Sequence, residues 1–163
     1  ASCLVGSEMC IRDSINTLRK PSERLNWINN AMANAVKFGG TSLILDMTLP
    51  VVASPKFLSK MKDNALKYEN YLGLDDYNGV SKLMHGGFTT NWDFDWSKLD
   101  LPVLVLTGHY DKVFRIEDDI NNLIKDMKNV KRIEVPECGH LIPIEDPELF
   151  SYHLSGFIIS LKY

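Results

Sequence analysis

At 163 residues, with 45% hydrophobic and 24% charged side chains and a formal net charge of −3, the chain can bury one sizeable core and has an ordinary globular composition. The slightly acidic balance offers no basic surface for nucleic acid or an anionic membrane, and no uninterrupted apolar run approaches the roughly 18 residues that span a bilayer. Cys3, Cys10 and Cys138 are too few for a disulfide framework, so a reducing, cytoplasmic setting is the expectation.

Taken in chain order, residues 3 to 14, Cys-Leu-Val-Gly-Ser-Glu-Met-Cys-Ile-Arg-Asp-Ser, resemble a peptide that recurs when sequencing-adapter DNA is translated. Residues 1–14 are therefore set apart as an artefactual or disordered N-terminus. Val5-Gly6-Ser7-Glu8-Met9 imitates a Gly-x-Ser-x-Gly nucleophile elbow, but the glycine directly precedes the serine, and Met9 stands where a second glycine should relieve the crowded turn. Ser7 is not taken as a nucleophile.

Residues 15–97 read as a mainly helical region. Ser22 can cap a helix running to Phe38, with Glu23 in its first turn and Leu25, Ile28, Met32, Ala35 and Val36 at helical spacing. Gly39-Gly40 stops it. Thr41 to Leu49 is predicted as a second helix, with a buried strand as the rival reading. Pro55-Lys56-Phe57-Leu58 opens a third, expected to reach Leu72, and Asp75 to Gly86 a fourth. Phe88 to Leu99 carries Trp92, Phe94 and Trp96 and returns the chain to the segment that follows.

Residues 98–163 change character. Leu101-Pro102-Val103-Leu104-Val105-Leu106 is short and lacks polar alternation, as suits a parallel strand buried on both faces. Lys131 to Val135 alternates, as an edge strand does. Between them Ile116, Ile120, Leu123, Ile124 and Met127 mark a helix, so the unit is strand, loop, helix, strand, with a crossover that implies parallel pairing. Asp111 and His140 lie just past the two strands, 29 positions apart, where reactive groups of open α/β sheets collect. A lone aspartate at such a place is commonly a turn residue. A carboxylate and an imidazole together can serve as the orienting acid and the general base for a hydroxyl nucleophile.

The segment Pro102 to Asp111, followed by Cys138-Gly139-His140 and Asp146-Pro147-Glu148-Leu149-Phe150, resembles the C-terminal half of α/β-hydrolase-fold enzymes. The fold expected is a partial α/β-hydrolase fold: C-terminal parallel strands with flanking helices, preceded by a helical cap. In that family Gly-x-x-Asp supplies the triad acid and Gly-His the base, which places these roles on Asp111 and His140. The helical region, with Arg24, Trp27, Gly39-Gly40, Leu49 and Pro55-Lys56-Phe57, is similar to the cap of the esterase and enol-lactonase branch. Trp27, Phe38, Met47, Phe88 and Trp92 are then candidate pocket walls, or pack cap on core, and Val113 and Phe114 are placed to line the acyl pocket. His109 and Cys138 flank the motif and read as structural or pocket-wall residues, while His85 and His153 have no partner pattern, so neither a metal site nor an organic cofactor is implied.

No Gly-x-Ser-x-Gly occurs in the chain. The resemblance accordingly implies the cap and C-terminal catalytic half of a carboxylic ester hydrolase whose nucleophile-bearing N-terminal half is missing, so that the fragment is inactive alone. The partners implied are a small-molecule substrate and that missing half, with no nucleic acid and no membrane. A hydrolase-fold receptor that binds without turnover, or a short interaction protein, are the other classes the sequence leaves open.

Overall fold

A computed structural model of the chain describes residues 12–15, 22–89 and 95–161. Ser7, Cys3, Cys10 and Trp92 lie outside them, as does the side chain of Phe88. Three strands form one parallel sheet in the order β1 (Arg12–Ile15), β2 (Val103–Gly108), β3 (Val130–Val135). Residues 12–15 thus run across the boundary expected after residue 14, with Arg12 opposite Val103 and Ile15 opposite Leu106. The β2–β3 register sets Val103 opposite Val130 and Gly108 opposite Val135.

The uninterrupted apolarity of β2 has a direct cause in the layers around it. Leu104 and Leu106 pack with Val135, Cys138, Ile142 and Phe157, which brings α5 (Ile142–Glu145) and α6 (Pro147–Ser160) onto one face. Val103 and Val105 pack with Leu99 and Met127, with Leu123 and Ile124 of α4 (Glu117–Ile124) beside them on the other face. Each of these four β2 side chains is at most 1% exposed, a burial that stabilises by about 1.5–3 kcal/mol per side chain. β3 has solvent along one side of the described sheet and alternates accordingly. There Arg132 donates to both carboxylate oxygens of Glu117, at 2.7 and 2.8 Å, and to Glu134 at 2.7 Å. The forked pairing holds the Glu117 carboxyl below its usual range.

The helical region consists of α1 (Glu23–Val52), α2 (Pro55–Met61) and α3 (Gly79–Thr89). The two helices expected before and after Gly39-Gly40 are both present, and the rival strand over 41–49 is not. They join in α1 across a kink at Gly40, whose φ of 61° and ψ of −155° only glycine adopts readily. Ser22 caps α1, its hydroxyl accepting from the Leu25 N–H at 3.2 Å. Ala35, Val36 and Ile44 pack across the kink with Leu74, Val80 and Met84. By length and mean hydropathy alone α1 meets the measure of a membrane-crossing helix, although no uninterrupted apolar run in it approaches that length. Its kink and its buried Leu25, Val36, Ile44 and Leu49 are features of a core helix.

Two expected boundaries move. The third helix ends at Met61, well short of Leu72, because the Asp46 carboxylate on α1 accepts from the Leu66 N–H at 2.9 Å and the Tyr71 hydroxyl at 2.8 Å. Those bonds hold the segment in turns, with Leu66 at a φ of 56°. The fourth starts at Gly79 because Asp75 accepts from the N–H groups of Tyr77 and Asn78 and closes a turn first; Asn78 then accepts from Val80 and caps the helix.

Candidate active site

The loops after β2 and β3 meet at the carboxyl edge of the sheet and are stitched together before any side chain is considered. The His109 N–H donates to Val135 O and the Tyr110 N–H to Cys138 O, both at 3.0 Å. A Cβ at Gly108 would strike the Gly139 and Cys138 carbonyls, and one at Gly139 would strike Val52 O. The glycines of Thr107-Gly108 and Gly139-His140 are therefore there for close backbone approach.

On this frame Asp111 and His140 face each other, with His140 Nδ1 2.7 Å from Asp111 Oδ2. Asp111 is 1% exposed, and its other oxygen accepts from the N–H groups of Val113 at 3.0 Å and Phe114 at 2.8 Å. One side chain thus makes two kinds of contact: Oδ1 closes the turn and Oδ2 addresses the imidazole. With an ionised carboxylate as acceptor, the proton sits on Nδ1 and Nε2 keeps its lone pair. The Phe114 ring lies over the imidazole at 4.6 Å between centroids, tilted by 38°, and restricts its rotation.

Helix α1 holds both loops, because the Gly40 kink brings its two ends to the same place. At its start Arg24 donates to the carbonyls of Val113 at 3.1 Å and Lys112 at 3.0 Å. At its end, two of the carbonyls that any helix C-terminus leaves without intrahelical partners accept from the two loops: Val51 O from Lys112 N–H at 2.9 Å, and Val52 O from His140 N–H at 2.6 Å.

Between α1 and the loops lies a cavity of about 500 Å³ whose wall includes His140, Val113, Phe114, Trp27 and Met47. Of the seven side chains expected as pocket walls, Trp27, Met47, Val113 and Phe114 are at its edge, Trp27 and Met47 largely solvent-exposed at 80% and 54%. Phe38 is not among its lining residues and is itself exposed. Ile28, Met32, Ile44, Thr48, Leu49 and Val52, most of which the sequence marked only as helix-face residues, complete the wall. An apolar cavity against an imidazole–carboxylate pair can hold an apolar acyl group and keep water from the reacting bond.

Other candidates fall elsewhere. His85, for which the sequence offered no partner pattern, lies inside α3. Cys138 is buried within the loop after β3; burial, reinforced by the negative charge of Glu145 and Asp146, pushes its thiol up to about 11, the opposite of an activated nucleophile. Two contacts that hold these loops escaped the sequence reading. Arg24 was visible only as part of the cap pattern, and its grip on the acid loop has no local signature. Glu145, buried beside the base loop, was marked only by being acidic after the apolar run Leu141 to Ile144.

Strands, loops and flanking helices in this order define a partial α/β-hydrolase fold. The comparisons with known proteins agree. The chain superimposes on a thermophilic esterase from Thermogutta terrifontis with a TM-score of 0.68 at 18% identity, covering 92% of this chain and 55% of that structure. With the enol-lactonase from Burkholderia xenovorans LB400 the TM-score is 0.70 at 15% identity, covering 91% and 56%. With MenH from S. aureus it is 0.59 at 21% identity, covering 94% and 60%. In sequence, a Bacillus subtilis (strain 168) protein provisionally named a 2-succinyl-6-hydroxy-2,4-cyclohexadiene-1-carboxylate synthase is 33% identical over 87 residues, 51% of this chain and 31% of that protein. No family model matches. The chain thus spans little more than half the length of those structures and less than a third of that relative.

Proposed function

We propose that the chain is the cap and C-terminal catalytic half of an α/β hydrolase that cleaves a small ester, lactone or related carboxylic substrate through an acyl-enzyme. The observation that carries this reading is the 2.7 Å contact between His140 Nδ1 and the buried Asp111 carboxylate, at the wall of an apolar cavity. In this mechanism Asp111 fixes the imidazole and stabilises its charged form. Nε2 of His140 takes the proton of a serine hydroxyl as it attacks the substrate carbonyl, then returns it to the leaving oxygen. Water repeats the sequence on the acyl-enzyme and releases the acid. The serine and the oxyanion donors belong to an N-terminal half of the same fold, and the 163 residues alone are inactive. Val113, Phe114, Trp27 and Met47 line the acyl site, and no metal or organic cofactor takes part.

The likeness of the fold to an esterase and an enol-lactonase supports the reaction class, and the share of those structures that the chain spans supports the missing half. The test is to recover the coding sequence upstream of Ile15, express the extended chain and assay chromogenic esters and lactones. Turnover that requires an upstream Gly-x-Ser-x-Gly serine and His140 is expected. Ligand binding with no turnover by an extended chain lacking such a serine would replace this reading with that of a hydrolase-fold receptor.

A further inference from the structure

The base loop is held by more than its glycine. Glu145, at the end of α5 and 6% exposed, turns its carboxylate back over the loop: Oε2 accepts from the Gly139 N–H at 3.0 Å and Oε1 from the Leu141 N–H at 3.1 Å. These are the amides on either side of His140. Oε2 also accepts from the Ser54 N–H at 2.9 Å, where α1 gives way to α2, and Ser54 is 2% exposed. A single carboxylate thus satisfies three backbone donors from two segments. The intervening His140 N–H goes to Val52 O, so three consecutive amides of the base loop are tied either to Glu145 or to the end of α1.

A buried carboxylate is costly unless its lone pairs are filled by well-aligned donors. Three donors, each in a charge-assisted bond, offset that cost. They also leave the loop little freedom to turn the imidazole away. Fixing the peptide planes before and after residue 140 fixes the direction in which its Cβ leaves the backbone, and with it the line from Nδ1 to Asp111.

We propose that Glu145 is a positioning residue for the base. It acts through the backbone of Gly139 to Leu141, and through Ser54 it locks the register of the base loop against the end of α1. Its part in catalysis rests on the hydrolase reading above; its part in orienting His140 does not.

The test uses the 163-residue chain, ¹⁵N-labelled, and reads the low-field Nδ1–H proton that a short His–Asp hydrogen bond produces. In the unsubstituted chain that resonance is expected, and Asp111→Asn should remove it. Glu145→Ala is expected to broaden it or move it upfield while the amide spectrum of β2 and β3 is kept. Glu145→Gln preserves volume but sets an amide N–H₂ against at least one backbone donor, and carries the test should the alanine variant not fold; an intermediate effect is expected. Val105→Ala, on the opposite face of β2, loosens the core without touching the loop and should leave the resonance in place. In an active extended chain, Glu145→Gln should lower kcat by about 10²-fold, as a misplacement on the order of 1 Å does, with KM within twofold.

An unchanged low-field proton in folded Glu145 variants would overturn the positioning role while leaving the hydrolase reading intact. Absence of that proton from the unsubstituted chain would instead overturn the His–Asp pairing on which the hydrolase reading stands.

Discussion

Replacing Asp111 by asparagine isolates orientation from packing, because the two side chains have nearly the same shape. The asparagine carbonyl must occupy the Oδ1 position, where the N–H groups of Val113 and Phe114 converge at 3.0 and 2.8 Å; an amide N–H₂ there would face two donors. The N–H₂ is therefore driven to the Oδ2 position, 2.7 Å from His140 Nδ1, where it can only donate. Nδ1 must then be unprotonated, and the proton moves to Nε2, the nitrogen that should act as base. The number of hydrogen bonds is kept, so stability should fall by only about 1 kcal/mol. Turnover in the extended chain should fall by about 10⁴-fold, the cost of the wrong tautomer in a serine hydrolase, or about 5.5 kcal/mol in the barrier. Two measurements check this: ester turnover by the extended chain, and long-range ¹H–¹⁵N correlation of His140 in the 163-residue chain, where the protonated nitrogen should switch from Nδ1 to Nε2. An asparagine variant that keeps the Nδ1–H tautomer, or retains turnover within tenfold, would refute the argument.

Other outcomes follow from neighbouring contacts. His140→Ala in the extended chain should abolish ester turnover while apolar ligands still enter the cavity; substantial remaining turnover would remove His140 from the mechanism. Gly40→Ala forces a Cβ into a positive-φ position and towards Leu72 O; it should destabilise by on the order of 2–3 kcal/mol, read by chemical denaturation, and loosen both loops that α1 holds. Phe114→Ala uncovers one face of the imidazole and should raise KM for apolar acyl esters more than it lowers kcat, as steady-state kinetics would show. With its thiol pushed up to about 11, Cys138 should be about one part in a thousand thiolate at pH 8. Its alkylation should be slow in the folded chain, accelerate in denaturant, and rise with pH between roughly 9 and 11 as the neutral thiol favoured by burial gives way to thiolate.

Much of the core was legible because its signal is local. An unbroken apolar β2 between helices announces burial on both faces, and the alternation of Val130 to Val135 announces an edge. Asp111 and His140 were found because each stands immediately after one of those strands. The ends of the helices were harder. Nothing between Pro55 and Leu72 says that the helix must stop at Met61; the reason sits on another helix, in the Asp46 carboxylate that draws Leu66 and Tyr71 out of line. The kink was marked by Gly39-Gly40, but its consequence was not. Only the folded chain shows that folding α1 back at Gly40 lets Arg24 hold the acid loop while Val51 and Val52 hold both loops from the other end.

The sequence by itself determined the parallel unit around β2, the placement of a carboxylate and an imidazole at its edge and the helical region before it, since each is written in residues close to the strand or helix it belongs to. Tertiary structure decided which residues keep that pair aligned. Arg24 reaches partners 88 and 89 positions away and Glu145 joins Ser54 across 91. Those bonds are made to backbone N–H and C=O groups, which every residue but proline carries alike, so no pattern of side chains records where they will form.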